Sequence, residues 1–455
     1  MTFRSSLLAL ASGLWPLAAL AEPQSAFDCS QHEFSTLPAV EGSDGVFYRV
    51  QSDLRLQHPM DDIIVERLAE LSQTLAEGGT TLIFVNVPTK GQGMPGYLPE
   101  RAAEYGFDQK MIDANYLDVV DRLTAAGVVA PDLMTALRAA PEGQRVFFGT
   151  DFHWTPDGAR LAAEEIGKVI RNHPAYQGVT PVPFETVELP EEVAFSGMRR
   201  ELQGFCTLPL PEVRSKAYRT TRAADPGAVD DASDIFADAP AQGEGTLDIF
   251  GTGEAEATLV LVGTSFSDSP INNFAGFLSE YSGIEVVNYA ITGGNQFGSM
   301  TSYLTSTDFA ENRPTFLIWE NPIYNSLAQY GPLPMDELVA AAGAPCETPL
   351  EAASDGARSL TAALEPESLK PGDALLFDFG GEGPREIVAR FTSASGIDRT
   401  VRIDRGDRLR ATGRFFLRVT PYWLPDLTSV SVEFDRPLTD GSAIKLCPTR
   451  KGDKS

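Results

Sequence analysis

The sequence predicts an α/β domain followed by an all-β module, and three observations predict it. From about residue 60 to 330, apolar strand-like runs alternate with amphipathic helical stretches. Three of the later runs end in polar or glycine-bearing loops, as a site at the carboxyl edge of a parallel sheet requires. After Cys346 the texture changes to short alternating strands separated by Gly, Asp and Pro.

Taken in order, residues 1–21 read as a secretory signal. Arg4 supplies the basic start, Leu7 to Leu20 the apolar core, and Ala19-Leu20-Ala21 the cleavage site before Glu22. That core is too short to span a bilayer and is broken by Pro16, so an exported, periplasmic protein is expected. Asp61–Ala76 reads as a helix with Ile63, Ile64, Leu68 and Leu71 on one stripe, ended by Gly78-Gly79, and Thr81–Val87 as a buried strand. A second helix covers Asp108–Ala125. Arg145–Phe148 reads as a short strand running into a turn at Asp151–His153, after which Thr155 caps a helix with Pro156 in its first turn, continuing to Ile170. Residues 221–255, rich in Ala, Asp, Gly and Pro, read as a surface insertion.

The α/β rhythm then resumes with Ala257–Val262, ending at Gly263-Thr264-Ser265. Glu285–Tyr289 ends at Gly293-Gly294, and Thr315–Trp319 ends at Glu320-Asn321-Pro322. Beyond residue 340, Ala374–Phe379, Glu386–Phe391, Thr400–Ile403, Arg414–Val419 and Val430–Phe434 suggest a β-sandwich over 341–455, after an α/β domain over 22–340.

Bulk properties narrow the function. A net charge of −27 over 455 residues argues against generic nucleic-acid or anionic-membrane binding. The four cysteines, Cys29, Cys206, Cys346 and Cys447, lack CxxC spacing and neighbouring histidines, so two disulfides are expected and no metal or diffusible cofactor is implied. Of the three possible pairings the simplest is Cys29 with Cys206 and Cys346 with Cys447, a choice that spacing alone leaves open.

The chemistry-bearing residues are Asp151, His153 and Ser265. A serine hydroxyl is a weak nucleophile until an imidazole takes its proton, and the imidazole needs a carboxylate to fix its tautomer. Gly263 allows a tight turn that presents Ser265 at the sheet edge, although a helix-capping serine fits the same residues. Asp151 can turn back to the His153 ring across one intervening residue. The other three histidines, His32, His58 and His173, have no comparable surroundings and read as structural.

The segments DFHWTPDGA (151–159), GTSFSD (263–268) and WENP (319–322) resemble those of the periplasmic alginate O-acetyltransferases of the AlgX/AlgJ type, whose domains are SGNH hydrolase-like. Asp and His precede the serine, the rearranged order that this family has. The resemblance covers about residues 29 to 330, and the C-terminal module with its own cysteine pair favours the AlgX-like branch, implying a carbohydrate-binding β-sandwich. It implies Ser265 as nucleophile, His153 as base and Asp151 as orienting carboxylate. Oxyanion support is expected from the Ser265 amide and the Gly293–Asn295 loop, Gly294 and Asn295 above all, with Tyr324 nearby.

For substrate binding, Lys90 in the loop Pro88-Thr89-Lys90-Gly91 follows a buried strand and could meet a carboxylate in the cleft; a solvated loop lysine is the alternative. Arg402, Arg405, Arg408, Arg410, Arg414 and Arg418 crowd one stretch. In what reads as the last strand a period of two sets Arg414, Phe416 and Arg418 on an outer face, opposite Phe415, Leu417 and Val419. Arginine forks pair with uronate carboxylates, and Phe416, Tyr422 or Trp423 could stack on sugar rings. A solvated face balanced by Asp404 and Asp407 is the competing reading. The expected function is acetyl transfer through a serine acyl-enzyme to mannuronate hydroxyls of alginate or a similar uronate polymer. The acetyl would come from membrane or periplasmic proteins of the acetylation machinery, to a chain monomeric within a secretion complex. The alternatives are an acetyl esterase and a non-catalytic polymer-binding scaffold.

Overall fold

The computed structural model describes residues 25–30, 37–195, 197–223, 258–343, 345–365 and 369–447. The expected signal segment, His32 and nearly all of the expected insertion lie outside them.

The chain opens with the hairpin β1 (Ala39–Glu41) and β2 (Phe47–Arg49), followed by α1 (Asp62–Glu77) and β3 (Thr81–Val87). Ile64, Val65, Leu68, Leu71 and Leu75 form the buried stripe of α1. Ile63, expected on that stripe, is 55% exposed, because the 100° step from Ile64 carries it outside the arc closed by Val65 and Leu68. Next come α2 (Lys90–Gly93), α3 (Gln109–Ala125, capped by the Asp108 carboxylate), α4 (Leu133–Arg138) and α5 (Pro156–Asn172). The Thr155 hydroxyl caps α5 by accepting from the Gly158 amide at 3.1 Å. In place of the strand expected over Arg145–Phe148 there is a single bridge, Phe147 to Trp154. The turn between them leaves room for only one bridging pair before α5 begins.

An antiparallel ribbon follows, β4 (Phe184–Val193) and β5 (Arg214–Arg222), with α6 (Gly197–Gln203) between them. Thr221 and Arg222 therefore belong to a strand and not to the insertion. Beyond it lie β6 (Leu259–Val262), α7 (Ser265–Asp268), α8 (Phe274–Ser282), β7 (Val286–Asn288), α9 (Gly298–Leu304), α10 (Thr307–Glu311), β8 (Phe316–Pro322) and α11 (Leu333–Ala342).

Strands β3, β8, β6 and β7 form one parallel sheet in that order. Parallel strands buried on both faces are mostly apolar, and β3, β6 and β8 follow this up to the polar residues Asn86, Glu320 and Asn321 near their carboxyl ends. Ile83, Val85, Leu261 and Ile318 pack one way, towards α4, α5 and α8. Leu82, Phe84, Val262 and Trp319 pack the other way, towards α1, α9 and α11. The crossovers bring the carboxyl ends of β3, β8 and β6 to one edge.

The C-terminal region is all antiparallel: β9 (Thr348–Pro349), β10 (Ala352–Ser354), β11 (Ser359–Ala363), β12 (Ala374–Asp378), β13 (Glu386–Ser393), β14 (Asp398–Asp404), β15 (Arg414–Arg418), β16 (Leu427–Phe434) and β17 (Ala443–Cys447). They form a five-stranded sheet, β10-β11-β16-β13-β14, and a four-stranded sheet, β15-β12-β17-β9. Leu375, Phe377, Phe415, Leu417 and Ile444 of the latter share a core with Ile387, Phe391, Val430 and Val432 of the former. β15 is not the last strand, since β16 and β17 follow it. The disulfides pair Cys29 with Cys206 and Cys346 with Cys447.

The outer face of the four-stranded sheet is covered. Leu376, Phe416 and Cys447 join the core that contains Leu338 and Ala342 of α11 and runs on to the parallel sheet. Arg405 forms a buried pair with Glu337 at 2.6 Å, Arg418 reaches Glu70 of α1 at 2.6 Å, and Arg414 donates to the Ser306 carbonyl at 2.9 Å. The period of two was right about which residues share a face; the face meets the α/β region instead of solvent.

Candidate active site

Two turns meet at the carboxyl edge of the sheet. After β6 the chain turns at Gly263-Thr264, and Ser265 becomes the first residue of α7 while Thr264 acts as the cap. A Cβ at Gly263 would lie 2.4 Å from Glu320 Oε2, so this position needs glycine for close approach. The carbonyls of the short helix are tied from several directions. Trp154 Nε1 and Asn272 Nδ2 donate to the Phe266 carbonyl at 2.9 and 3.2 Å, and Asn288 Nδ2 donates to that of Ser267 at 2.9 Å.

The second turn precedes α5. The Asp151 Oδ1 atom accepts from the His153 backbone amide at 2.9 Å and lies 2.6 Å from the ring Nδ1. The opposite ring nitrogen, Nε2, lies 2.7 Å from Ser265 Oγ. With Nδ1–H donating to the carboxylate, Nε2 is left as an acceptor facing the hydroxyl. Asp151 and His153 are buried, and Ser265 is half-buried. The imidazole is walled by rings: Phe195 stacks on it at 3.9 Å and 12°, with Phe152 at 4.2 Å and Phe266 at 4.8 Å. Such walls hold the ring in one plane. Phe195 comes from the loop after β4, more than forty residues from His153 in sequence, and no local pattern could have signalled it.

Each turn hangs on one buried charged residue. Lys90 is 1% exposed, and its Nζ donates to the carbonyls of Phe47 at 2.8 Å and Gly149 at 3.2 Å. Burial lowers its ammonium to about 8 against the nearby Asp53 and Asp151 carboxylates, which raise it. Lys90 is thus not a cleft lysine awaiting a substrate carboxylate, nor a solvated one. A strand's carboxyl end fixes where a side chain starts, and this one turns inward to hold the stretch leading to Asp151. The serine turn hangs on Glu320, read from sequence as a loop residue but lying inside β8, fully buried, with burial pushing its carboxyl up to about 7.

The expected oxyanion residues are placed differently. The Gly294 amide donates to the Ile291 carbonyl at 3.1 Å, and exposed Asn295, at φ 57°, uses its Oδ1 to accept from the Phe297 amide at 2.8 Å. Neither offers that group to an oxyanion. Tyr324 lies beneath Arg49, whose guanidinium stands 4.4 Å from its ring and 4.3 Å from that of Phe152 while pairing with Asp53 at 3.1 Å. Burial pushes the Tyr324 phenol up to about 12.

Of the expected sugar-contacting residues, Arg402 is exposed beside Glu386, and Arg410 is exposed over the Tyr289 ring, 3.7 Å from Asp308. Arg414 and Arg418 are engaged at the seam described above. Trp423 packs against the core of the antiparallel sheets, with Nε1 donating to the Leu369 carbonyl at 3.4 Å. His58 and His173 have local roles: His58 Nε2 contacts the Ser52 carbonyl at 2.9 Å, and His173 Nδ1 accepts from the Ala175 amide at 3.2 Å. Among the described residues no helix is long and apolar enough to cross a membrane.

Residues 39–323 match the family described as SGNH hydrolase-like domain, acetyltransferase AlgX. Over 299 residues, 65% of this chain, the sequence is 33% identical to the alginate biosynthesis protein AlgX of Pseudomonas putida. Over 258 residues, 55% of this chain, it is 34% identical to the probable alginate O-acetylase AlgJ of Pseudomonas fluorescens. Each alignment spans 58% of the relative's own length, under two thirds of it. The fold is similar to that of a solved Pseudomonas aeruginosa AlgX structure, with a TM-score of 0.71 over 94% of this chain and 98% of that one, at 22% identity.

Proposed function

The chain belongs to the AlgX family of SGNH hydrolase-like acetyltransferases, and from that premise we propose that it is a periplasmic O-acetyltransferase working through an acyl-enzyme on Ser265. The observation that carries this reading is the continuous line from Asp151 Oδ1 through the His153 ring to Ser265 Oγ, with separations of 2.6 and 2.7 Å. His153 Nε2 takes the hydroxyl proton as Oγ attacks the acetyl carbonyl. Collapse of the tetrahedral intermediate breaks the bond to the donor's leaving group, which leaves with the proton from Nε2. In the second half-reaction Nε2 takes the proton of a sugar hydroxyl, whose oxygen attacks the acyl carbon, and Ser265 departs with that proton restored. Asp151 keeps the imidazole in the required tautomer throughout. The Ser265 amide is the oxyanion donor that follows the nucleophile itself.

The acceptor is a mannuronate hydroxyl of alginate or a similar uronate polymer, and acetyl arrives from membrane or periplasmic proteins of the same machinery. The C-terminal sheets serve as a carbohydrate-binding sandwich, for which the exposed Arg402 and Arg410 are the available cations among the residues expected to touch sugar.

Intact-mass analysis after incubation with an activated acetyl ester, with and without mannuronate oligomers, tests the reading. Acetyl gained by wild type but not by Ser265→Ala, then passed to oligomers faster than free acetate appears, is the expected result. Acetate release alone would make the protein an esterase, and oligomer binding without acylation would make it a scaffold.

A further inference from the structure

Glu320 has no part in the proton transfers above, yet it is the most completely enclosed carboxylate near Ser265. It is 0% exposed at the centre of the parallel sheet. Its carboxylate gathers three donors from a single turn: the Thr264 amide at 2.7 Å and the Ser267 hydroxyl at 2.9 Å on Oε2, and the Thr264 hydroxyl at 3.1 Å on Oε1. Thr264 and Ser267 bracket Ser265. Among the described residues no Lys, Arg or His pairs with this carboxylate, so the charge rests on hydrogen bonds alone.

We propose that Glu320 is a positioning residue for the nucleophile, holding the Thr264–Ser267 turn so that the Ser265 hydroxyl meets His153 Nε2. The inference rests on the acyl-enzyme reading. Charge-assisted hydrogen bonds in a low-dielectric interior are short and directional, and here they fix the residue before the serine and the second one after it. The constraint explains two neighbouring residue choices. Gly263 is small because the carboxylate passes where a Cβ would stand. Thr264 supplies both the amide and a hydroxyl to the same group while also capping α7. An apolar residue would satisfy the sheet better than a buried unpaired carboxylate, and would leave these donors without an acceptor.

The role depends on charge. A protonated Glu320 turns one acceptor into a donor, so one of the three donors loses its partner and the turn relaxes. From α7 only hydroxyls and amides face the carboxylate. On its own segment the ionisable neighbour is Tyr324, which stays neutral across the working range. Because burial raises the Glu320 carboxyl to about 7 while its three donors lower it, the ionised form predominates only on the alkaline side of neutrality.

The test is the pH profile of single-turnover acylation by an activated acetyl ester, for wild type, Glu320→Gln and Ser267→Ala, with Ser265→Ala as the blank. In wild type the acid limb carries a component from protonation of Glu320. Glu320→Gln acylates about tenfold or more slowly at pH 8 and lacks that component. Ser267→Ala removes one donor to the carboxylate, which raises the Glu320 carboxyl and moves that component of the limb to higher pH; a purely structural role would leave it in place. Wild-type rate and limb in Glu320→Gln, or an unmoved limb in Ser267→Ala, overturns the inference while leaving the acyl-enzyme intact. Should Glu320→Gln fail to fold, Ser267→Ala decides alone. Failure of wild type itself to acylate removes the acyl-enzyme reading, and this inference with it.

Discussion

The two turns that meet at Ser265 and His153 are held by opposite means. The histidine turn is suspended from an ammonium, Lys90 Nζ, that donates to two carbonyls, one of them Gly149 just ahead of Asp151. The serine turn is suspended from a carboxylate, Glu320, that accepts from one amide and two hydroxyls. Burial disfavours the charged form of each, so it lowers the lysine to about 8 and raises the glutamate to about 7. Only in the narrow interval between those values are both suspending groups mostly charged. The comparison teaches that two buried charges of opposite sign, each neutralised on its own side of the interval, can centre a site on mildly alkaline pH without either touching a reactant.

The largest effect comes from cutting the point where the turns join. Ser265→Ala should lower covalent acylation by about 10⁴-fold or more, read by intact mass, with no change in the unfolding midpoint to match. Next is the histidine-turn suspension. Lys90→Met leaves the buried Phe47 carbonyl without the ammonium and the Gly149 carbonyl with the Phe47 amide alone, and should cost about 1–3 kcal/mol in urea unfolding; an unchanged midpoint would mean that the ammonium holds nothing.

The pH windows sharpen the contrast further. Between about 4.5 and 7 the folded protein keeps a proton on Glu320 that the unfolded chain has lost, so stability falls as pH rises, by up to about 3 kcal/mol. Between about 8 and 10.5 the unfolded chain keeps a proton on Lys90 that the folded one has lost, so stability rises with pH by a similar amount, about 3 kcal/mol. Urea midpoints across pH should lose the first slope in Glu320→Gln and the second in Lys90→Met. If both variants keep both slopes, other groups are responsible. Smallest is the exposed control: Arg402→Ala, whose guanidinium is 63% exposed beside Glu386, should move stability by under about 1 kcal/mol. A larger loss would show that burial is not what separates these charges.

Much of this was legible in the sequence, and what was missed has a common cause. The alternation of strand and helix, the Thr155 cap and the Asp151–His153 turn are local patterns, and the chain folds on them; the contact of His153 with Ser265, 112 residues away, is made by the sheet that brings the two turns to one edge. Direction and cover are not local. Lys90 sat at a strand end as expected and turned inward, because β2 and the Gly149 stretch offered carbonyls from elsewhere in the chain. The face of Arg414, Phe416 and Arg418 was read correctly as a face and incorrectly as open, since α11, the helix that covers Phe416, went unread. Glu320 reads from sequence as a loop residue beyond the strand, because glutamate is depleted in strands and followed here by Asn321 and Pro322, whereas it lies inside β8.

That covering helix has a consequence for how the molecule can be divided. Leu338 and Ala342 of α11 are packed together with Leu376 and Phe416 from the antiparallel side, and Arg405 is locked onto Glu337 with hardly any contact with water. A clone ending near residue 343 would present bare hydrocarbon and an orphaned glutamate where a partner surface had been. Its insolubility would say nothing about whether the α/β half needs the antiparallel half for the proposed chemistry. Dissection of this protein is better done by point changes at the rim than by scissors at the seam.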